Sequence, residues 1–210
     1  MSNKFKKLII SPHIDDDILG CGGIIDKNTL VLYCGVDEFH VIPKSSRLEE
    51  AKEASKILGH KFELMSGNKV NNYKVQDLID KFSYWINTVK PEEVYIPFPS
   101  YNQDHKTVFE ASLIALRPHD VNFFVKKVLI YEQPHVYLWN HSYDLGNSSF
   151  DPNFYVPIDI EKKLKAYRAM PSQVRDFRSE EHVRALSVLR GGQSNCKNAE
   201  AFQIIRYVKD

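Results

Sequence analysis

Only three cysteines occur in the 210 residues, and Cys21, Cys34 and Cys196 stand singly. An odd, scattered set without a CxxC pair makes neither a disulfide framework nor a thiolate zinc site. An excess of charge of one sign is missing too: 28 Lys and Arg against 27 Asp and Glu leave a formal net charge of +1. A protein that grips nucleic acid through its phosphates usually carries a basic excess, so that partner class is not expected. No apolar run approaches the roughly 20 residues of a membrane span. The basic start runs straight into Leu8-Ile9-Ile10 and then Asp15-Asp16, too short and too acidic a sequence for a signal peptide. The expectation is a cytoplasmic protein whose partners include neither membrane nor nucleic acid. With 43% hydrophobic and 26% charged residues, a single domain over residues 1–210 can bury its own core without covalent staples.

What is present is an alternation of short apolar runs with amphipathic stretches. Leu8-Ile9-Ile10, closed by Ser11-Pro12, reads as a fully buried strand, as does residues 30–34. Between them, residues 17–25 suit a glycine-laced helix lying close to the sheet. Ser46 and Glu49 form a capping-box pattern ahead of a helix over residues 47–58, and Gly59 is placed to end it. Further strands are expected at residues 62–65, 93–97 and 125–131. Helices are expected at 75–89, 105–116, 160–170 and 179–189. Residues 140–153 read as a polar surface excursion. Successive β–α units of this kind predict an α/β fold, a Rossmann-like, mostly parallel sheet with helices on both faces.

Ligands of such sheets sit at the carboxyl ends of strands. The first strand opens directly into Pro12-His13-Ile14-Asp15-Asp16-Asp17, and the fourth ends in Asn102-Gln103-Asp104-His105. Three consecutive carboxylates repel one another unless a cation is present. Imidazoles and carboxylates from two strand ends on one rim suit Zn²⁺ or another divalent transition metal. His/Asp/His ligation leaves a coordination position for water, as catalytic sites do. The competing reading is an exposed helix N-terminus, where Asp residues serve the helix dipole and cap.

Ser11 to Asp17, followed by Gly20-Cys21-Gly22-Gly23, resembles the first motif of the PIG-L/LmbE-like zinc deacetylases. That motif usually reads Pro-His-Pro-Asp-Asp-Glu with a Gly pair after it. Arg47, Glu50, Ala51, Ala54, Leu58 and Gly59 match a second block of that family, and Asn102 to His105 match in part a third, His-x-Asp-His. Ser172-Gln173 and residues 199–202 resemble its C-terminal signatures, so the likeness runs over nearly the whole chain. The resemblance implies a zinc-dependent hydrolase that removes acetyl from an N-acetylglucosamine-type conjugate, a small-molecule partner, and leaves homo-oligomerisation open. It implies His13, Asp16 and His105 as metal ligands, Asp15 as general base, and Arg47 and Asp104 as substrate-binding residues. Three positions depart from the pattern. Ile14 replaces Pro, Asp17 replaces Glu, and Asn102 stands where the family has a catalytic His. Asn can donate a hydrogen bond to an oxyanion but cannot hand a proton to a leaving amine, which leaves that proton to Asp15, His135 or His141. Two alternatives remain: a metal-dependent hydrolase of another amide or ester, and a catalytically impaired sugar-binding homologue. The other histidines, among them His40, His60, His119 and His182, are expected at the surface or in loops.

Overall fold

The computed structural model describes residues 5–36, 42–134 and 150–209. Strands β1 (Lys7–Ser11), β2 (Thr29–Tyr33), β3 (Lys61–Leu64), β4 (Glu93–Pro97), β5 (Lys127–Tyr131), β6 (Phe154–Pro157) and β7 (Ala199–Tyr207) form one sheet in the order β3-β2-β1-β4-β5-β7-β6. The first five pair in parallel, with Leu8 opposite Leu30 on one side and Val94 on the other. β7 runs antiparallel to both β5 and β6. The α/β, mostly parallel architecture expected from the sequence is therefore the observed one. Criteria built on apolar runs find no strand beyond residue 131, whereas the structure adds two. β7 alternates, with Glu200, Gln203 and Arg206 interrupting its apolar members, and β6 is a four-residue edge strand ending in Pro157.

Strand side chains alternate between two cores. Ile9, Val31, Tyr33, Tyr95, Leu129, Tyr131 and Phe202 face one layer. That layer is made by α1 (Asp16–Cys21), α2 (Lys44–Leu58), α5 (Ile160–Arg168) and α6 (Glu180–Gln193). Leu8, Ile10, Leu30, Leu32, Val94, Ile96, Val128 and Ile130 face the other, against α3 (Val75–Val89) and α4 (Gln103–Ala115). Helical spacing explains the contacts: α3 buries Leu78, Phe82 and Ile86, four apart, and α2 buries Ala51, Ala54 and Leu58. Each fully buried Leu, Ile or Phe of these layers contributes about 1.5–3 kcal/mol.

Two helix boundaries differ from expectation. α2 begins at Lys44 behind Pro43, so Ser46 lies inside the helix rather than capping it, while Gly59 does end it at φ 86°. α1 stops at Cys21 instead of continuing to residue 25. Its closeness to the sheet is real: a Cβ on Gly20 would lie 2.2 Å from the Tyr131 ring and 2.9 Å from the Glu132 carbonyl oxygen. The far end of α1 is clamped by Lys163, whose Nζ donates to the Leu19 carbonyl at 2.8 Å and to Glu200 at 2.7 Å. Among the described residues no helix is long and apolar enough to cross a membrane.

Candidate metal centre

β1 and β4 are neighbours from which the sheet is wound in opposite directions, so their carboxyl ends open a crevice. The loop after β1 and the first residue of α1 bring His13, Asp15 and Asp16 to it, and the cap and first turn of α4 bring Asn102 and His105. Together with Val70, Asn71, Tyr101, Gln173, Phe177 and Arg178 they line an open cavity of about 250 Å³.

One ligand atom each from His13, Asp16 and His105 lies within 4.8 Å of the others. Asp16 Oδ2 is the hub, 3.2 Å from His13 Nδ1 and 3.3 Å from His105 Nε2. It also accepts from the His13 backbone N–H at 2.9 Å, and Asp16 Oδ1 accepts from Gln133 Nε2 at 2.5 Å. Behind the cluster, His13 Nε2 meets Asp104 Oδ2 at 3.0 Å and His105 Nδ1 meets Ser100 Oγ at 3.3 Å. Each imidazole is thus oriented through the nitrogen that points away from the cluster, the support that metal-binding histidines require. Burial alone would raise the Asp16 carboxyl. The charge and hydrogen bond of His105, then those of His13, outweigh it and hold the group well below its usual range. Nitrogen and oxygen donors converging at this spacing, each with outer support, fit a divalent transition ion.

The capping reading of the carboxylate run does not describe this site. Asp15 is the N-cap residue of α1, yet its side chain makes no capping hydrogen bond. It forms an ion pair with Arg178 Nη1 instead. Asp17 points away from the cavity and accepts from Tyr33 Oη at 3.1 Å. Burial raises its pKa well above the usual value against that hydrogen bond.

The remaining expected residues divide. Asn102 lines the cavity, and its Oδ1 accepts the Asp104 N–H at 2.8 Å to cap α4. The cap commits the oxygen, so the Nδ2 amide is what Asn102 has left to offer a ligand. Asp104, expected against substrate, does not line the cavity. It holds His13 and accepts from the Asn71 N–H at 2.8 Å. Arg47 is 3% exposed and also absent from the lining. Its Nη1 is 3.0 Å from the Gln173 oxygen in the amide orientation that satisfies both ends of that side chain. In the same orientation Gln173 donates to Asp15 Oδ2 at 3.3 Å. His40, His135 and His141 lie outside the described residues.

Arg178 and Gln133 were not singled out by sequence reasoning. Gln133 follows β5 by two residues, and the same strand-end rule that picks out His13 reaches it. Arg178 sits on a 3₁₀ turn, Asp176–Arg178, more than 160 residues from Asp15 in sequence. No periodicity marks it.

No protein-family model matches the chain, and no curated protein does. Solved structures do. The conserved protein TT1542 of Thermus thermophilus superposes with a TM-score of 0.79 at 24% identity, over 98% of this chain and 97% of that one. The 4-carboxy-2-hydroxymuconate hydratase GalB of Pseudomonas putida gives 0.75 at 20% identity, over 98% and 99%. The N,N'-diacetylchitobiose deacetylase of Pyrococcus horikoshii gives 0.72 at 21% identity, over 98% and 86%. A hydratase and a deacetylase on one scaffold mean that fold alone does not choose the reaction. At these identities the likeness is one of fold, and that fold is the one implied by the resemblance to the PIG-L/LmbE-like deacetylases.

Proposed function

We propose that the protein is a metal-dependent amidohydrolase that removes acetyl from an N-acetylglucosamine-type conjugate, releasing acetate and a free amine. The observation that carries this reading is the His13, Asp16 and His105 cluster with a further carboxylate, Asp15, beside it on the cavity wall. A divalent ion such as Zn²⁺, held by those three side chains, supplies a Lewis acid and lowers the pKa of water at neutral pH.

The chain's own residues supply the rest. Asp15 takes a proton from the attacking water as its oxygen bonds to the amide carbon. Asn102 Nδ2 donates to the carbonyl oxygen as negative charge gathers there. Asp15 then returns the proton to nitrogen as the C–N bond breaks, since Asn102 has none to give. Asp104 and Ser100 keep the two imidazoles aimed, and Gln133 keeps Asp16 aimed.

The test is acetate release from an N-acetylglucosaminide by the zinc-loaded protein, repeated after chelation and after adding metal back. Turnover that chelation abolishes and zinc restores is the expected result. A metal-loaded protein that releases no acetate from any amino-sugar conjugate overturns the reading. Release from other amides or esters would point to a different hydrolase, and sugar binding without turnover to an impaired homologue.

A further inference from the structure

The sheet carries a second cavity at its opposite end. Around the amino ends of β4 and β5 the described residues border a space of about 600 Å³, against about 250 Å³ for the metal crevice. Small-molecule sites span roughly 300–1,000 Å³. The five residues of β4, roughly 15 Å of strand, separate the two cavities. No residue of the metal centre lines the far one. Its apolar wall is held in place by the loop between α4 and β5. Asn122 Nδ2 donates to Ser83 Oγ on α3 and to the Ala115 carbonyl, both at 3.1 Å. Asn87, also on α3, donates to Asn122 Oδ1 at 2.7 Å and accepts the Phe123 N–H at 2.8 Å. With the loop fixed in this way, its two rings face out, Phe123 37% and Phe124 43% exposed. Arg206 lies over the Phe124 ring, 4.7 Å from its centroid, and is itself fixed by the carbonyls of Val125 and Leu116 at 2.9 and 2.7 Å. Val208, after β7, continues the apolar wall.

The rim of this cavity is basic. Lys90, Lys126 and Lys127 line it against a single carboxylate, Glu92. Glu92 meets Lys6 at 3.3 Å and Lys127 meets Glu93 at 3.0 Å, so both acidic groups of this edge already have lysine partners. Lys90 ends α3 at φ 49°, a left-handed conformation in which Gly or Asn is usual. A lysine there sets a cation on the cavity at a cost in backbone strain. Apolar walls below a few cations fit an organic anion, and two phenyl rings favour an aromatic one.

We propose that this cavity is a ligand site, separate from the metal centre, for a small aromatic carboxylate. The ligand's ring system packs on Phe123, Phe124 and Val208, and its carboxylate is drawn to Lys90 and Lys126. The site stands whether or not the metal centre releases acetate.

The test is calorimetric titration of 2-naphthoate into the zinc-loaded full chain, beside its neutral isostere 2-naphthamide. The naphthoate should bind with a Kd of about 1 mM or tighter, as its size implies. The naphthamide should bind about 5- to 30-fold more weakly, the effect of two rim charges. The double variant Lys90→Gln, Lys126→Gln, at two exposed positions, should bring the two probes within about 3-fold of each other. Phe124→Ser should weaken both by about 3- to 10-fold through the lost ring contact. Chelation of the metal should change neither affinity, whereas a carboxylate bound to the ion would be released with it. No saturable binding at about 10 mM, equal affinity for the two probes, a preference that survives the double lysine variant, or binding that chelation abolishes overturns the proposal. So does a dimer in sedimentation, or adsorption to anionic lipid vesicles, that Phe124→Ser abolishes, since the rings would then belong to a second copy or to a membrane surface.

Discussion

Three adjacent aspartates do three different things because each meets a different partner. Asp16 is drawn to two imidazoles and Gln133, Asp15 to Arg178, and Asp17 to the Tyr33 hydroxyl under the site. On the proposed function, neighbours in sequence thus separate into ligand, base and buried support. The separation is testable by two measurements on the same variants. His105→Ala removes one of three converging donors and should lose both bound metal and turnover. Asp15→Asn should keep metal at the wild-type stoichiometry while turnover falls by roughly 10²-fold or more, the usual contribution of a general base. Metal analysis beside acetate release decides. An Asp15→Asn protein that loses its metal would move Asp15 into the ligand set, and one with near-normal turnover would remove it as the base.

At the scale of elements, the site depends on a helix of only six residues, α1, too short to be stable by itself. Its placement comes from its neighbours, Gly20 against Tyr131 on one flank and Lys163 at its end. A side chain at Gly20 has nowhere to go, because the Glu132 carbonyl 2.9 Å away is backbone and Tyr131 Oη is tied to the Ile10 carbonyl. Gly20→Ala should therefore cost about 1–3 kcal/mol by overpacking, read as a lower denaturant midpoint, and should lower metal affinity with it. An unchanged midpoint would show that α1 shifts freely. This arrangement also explains what the sequence discloses. β1, β2, β4 and β5 are legible because central parallel strands are buried on both faces and read as unbroken apolar runs. Strand ends narrow the candidates to residues 13–17 and 102–105, and the resemblance to the family's motifs is what picks His13, Asp16 and His105 among them. Arg178 is not legible, since its approach to Asp15 is set by how α5, the 3₁₀ turn and α6 fold back over the sheet. Nor is the withdrawal of Arg47 and Asp104 from the cavity, because a residue's place in a motif does not say which way its side chain turns.

Across the whole molecule, the layer beneath the site buries titratable groups that are more stable uncharged. His60, expected at the surface or in a loop, lies in the loop between α2 and β3 and is 3% exposed there. Neither of its ring nitrogens has a hydrogen-bond partner among the described residues, and Asp17 Oδ2 lies 3.9 Å from Nε2. Burial lowers its pKa from 6.5 to about 4. Below pH 6.5 the unfolded chain binds a proton at this position that the folded chain refuses, so stability is full above that value and falls as the pH drops towards 4. Asp17 has the opposite sign: its raised pKa favours the fold at low pH, and that contribution fades as the pH rises. Between pH 7.5 and 5 the His60 effect is about 2 kcal/mol. Other groups also titrate over this interval, so the comparison must be between proteins. Urea unfolding of the wild type and of His60→Gln at both pH values isolates the effect. The wild type should lose about 2 kcal/mol more than the variant over that interval. Equal losses would mean that His60 titrates in the fold as it does in water.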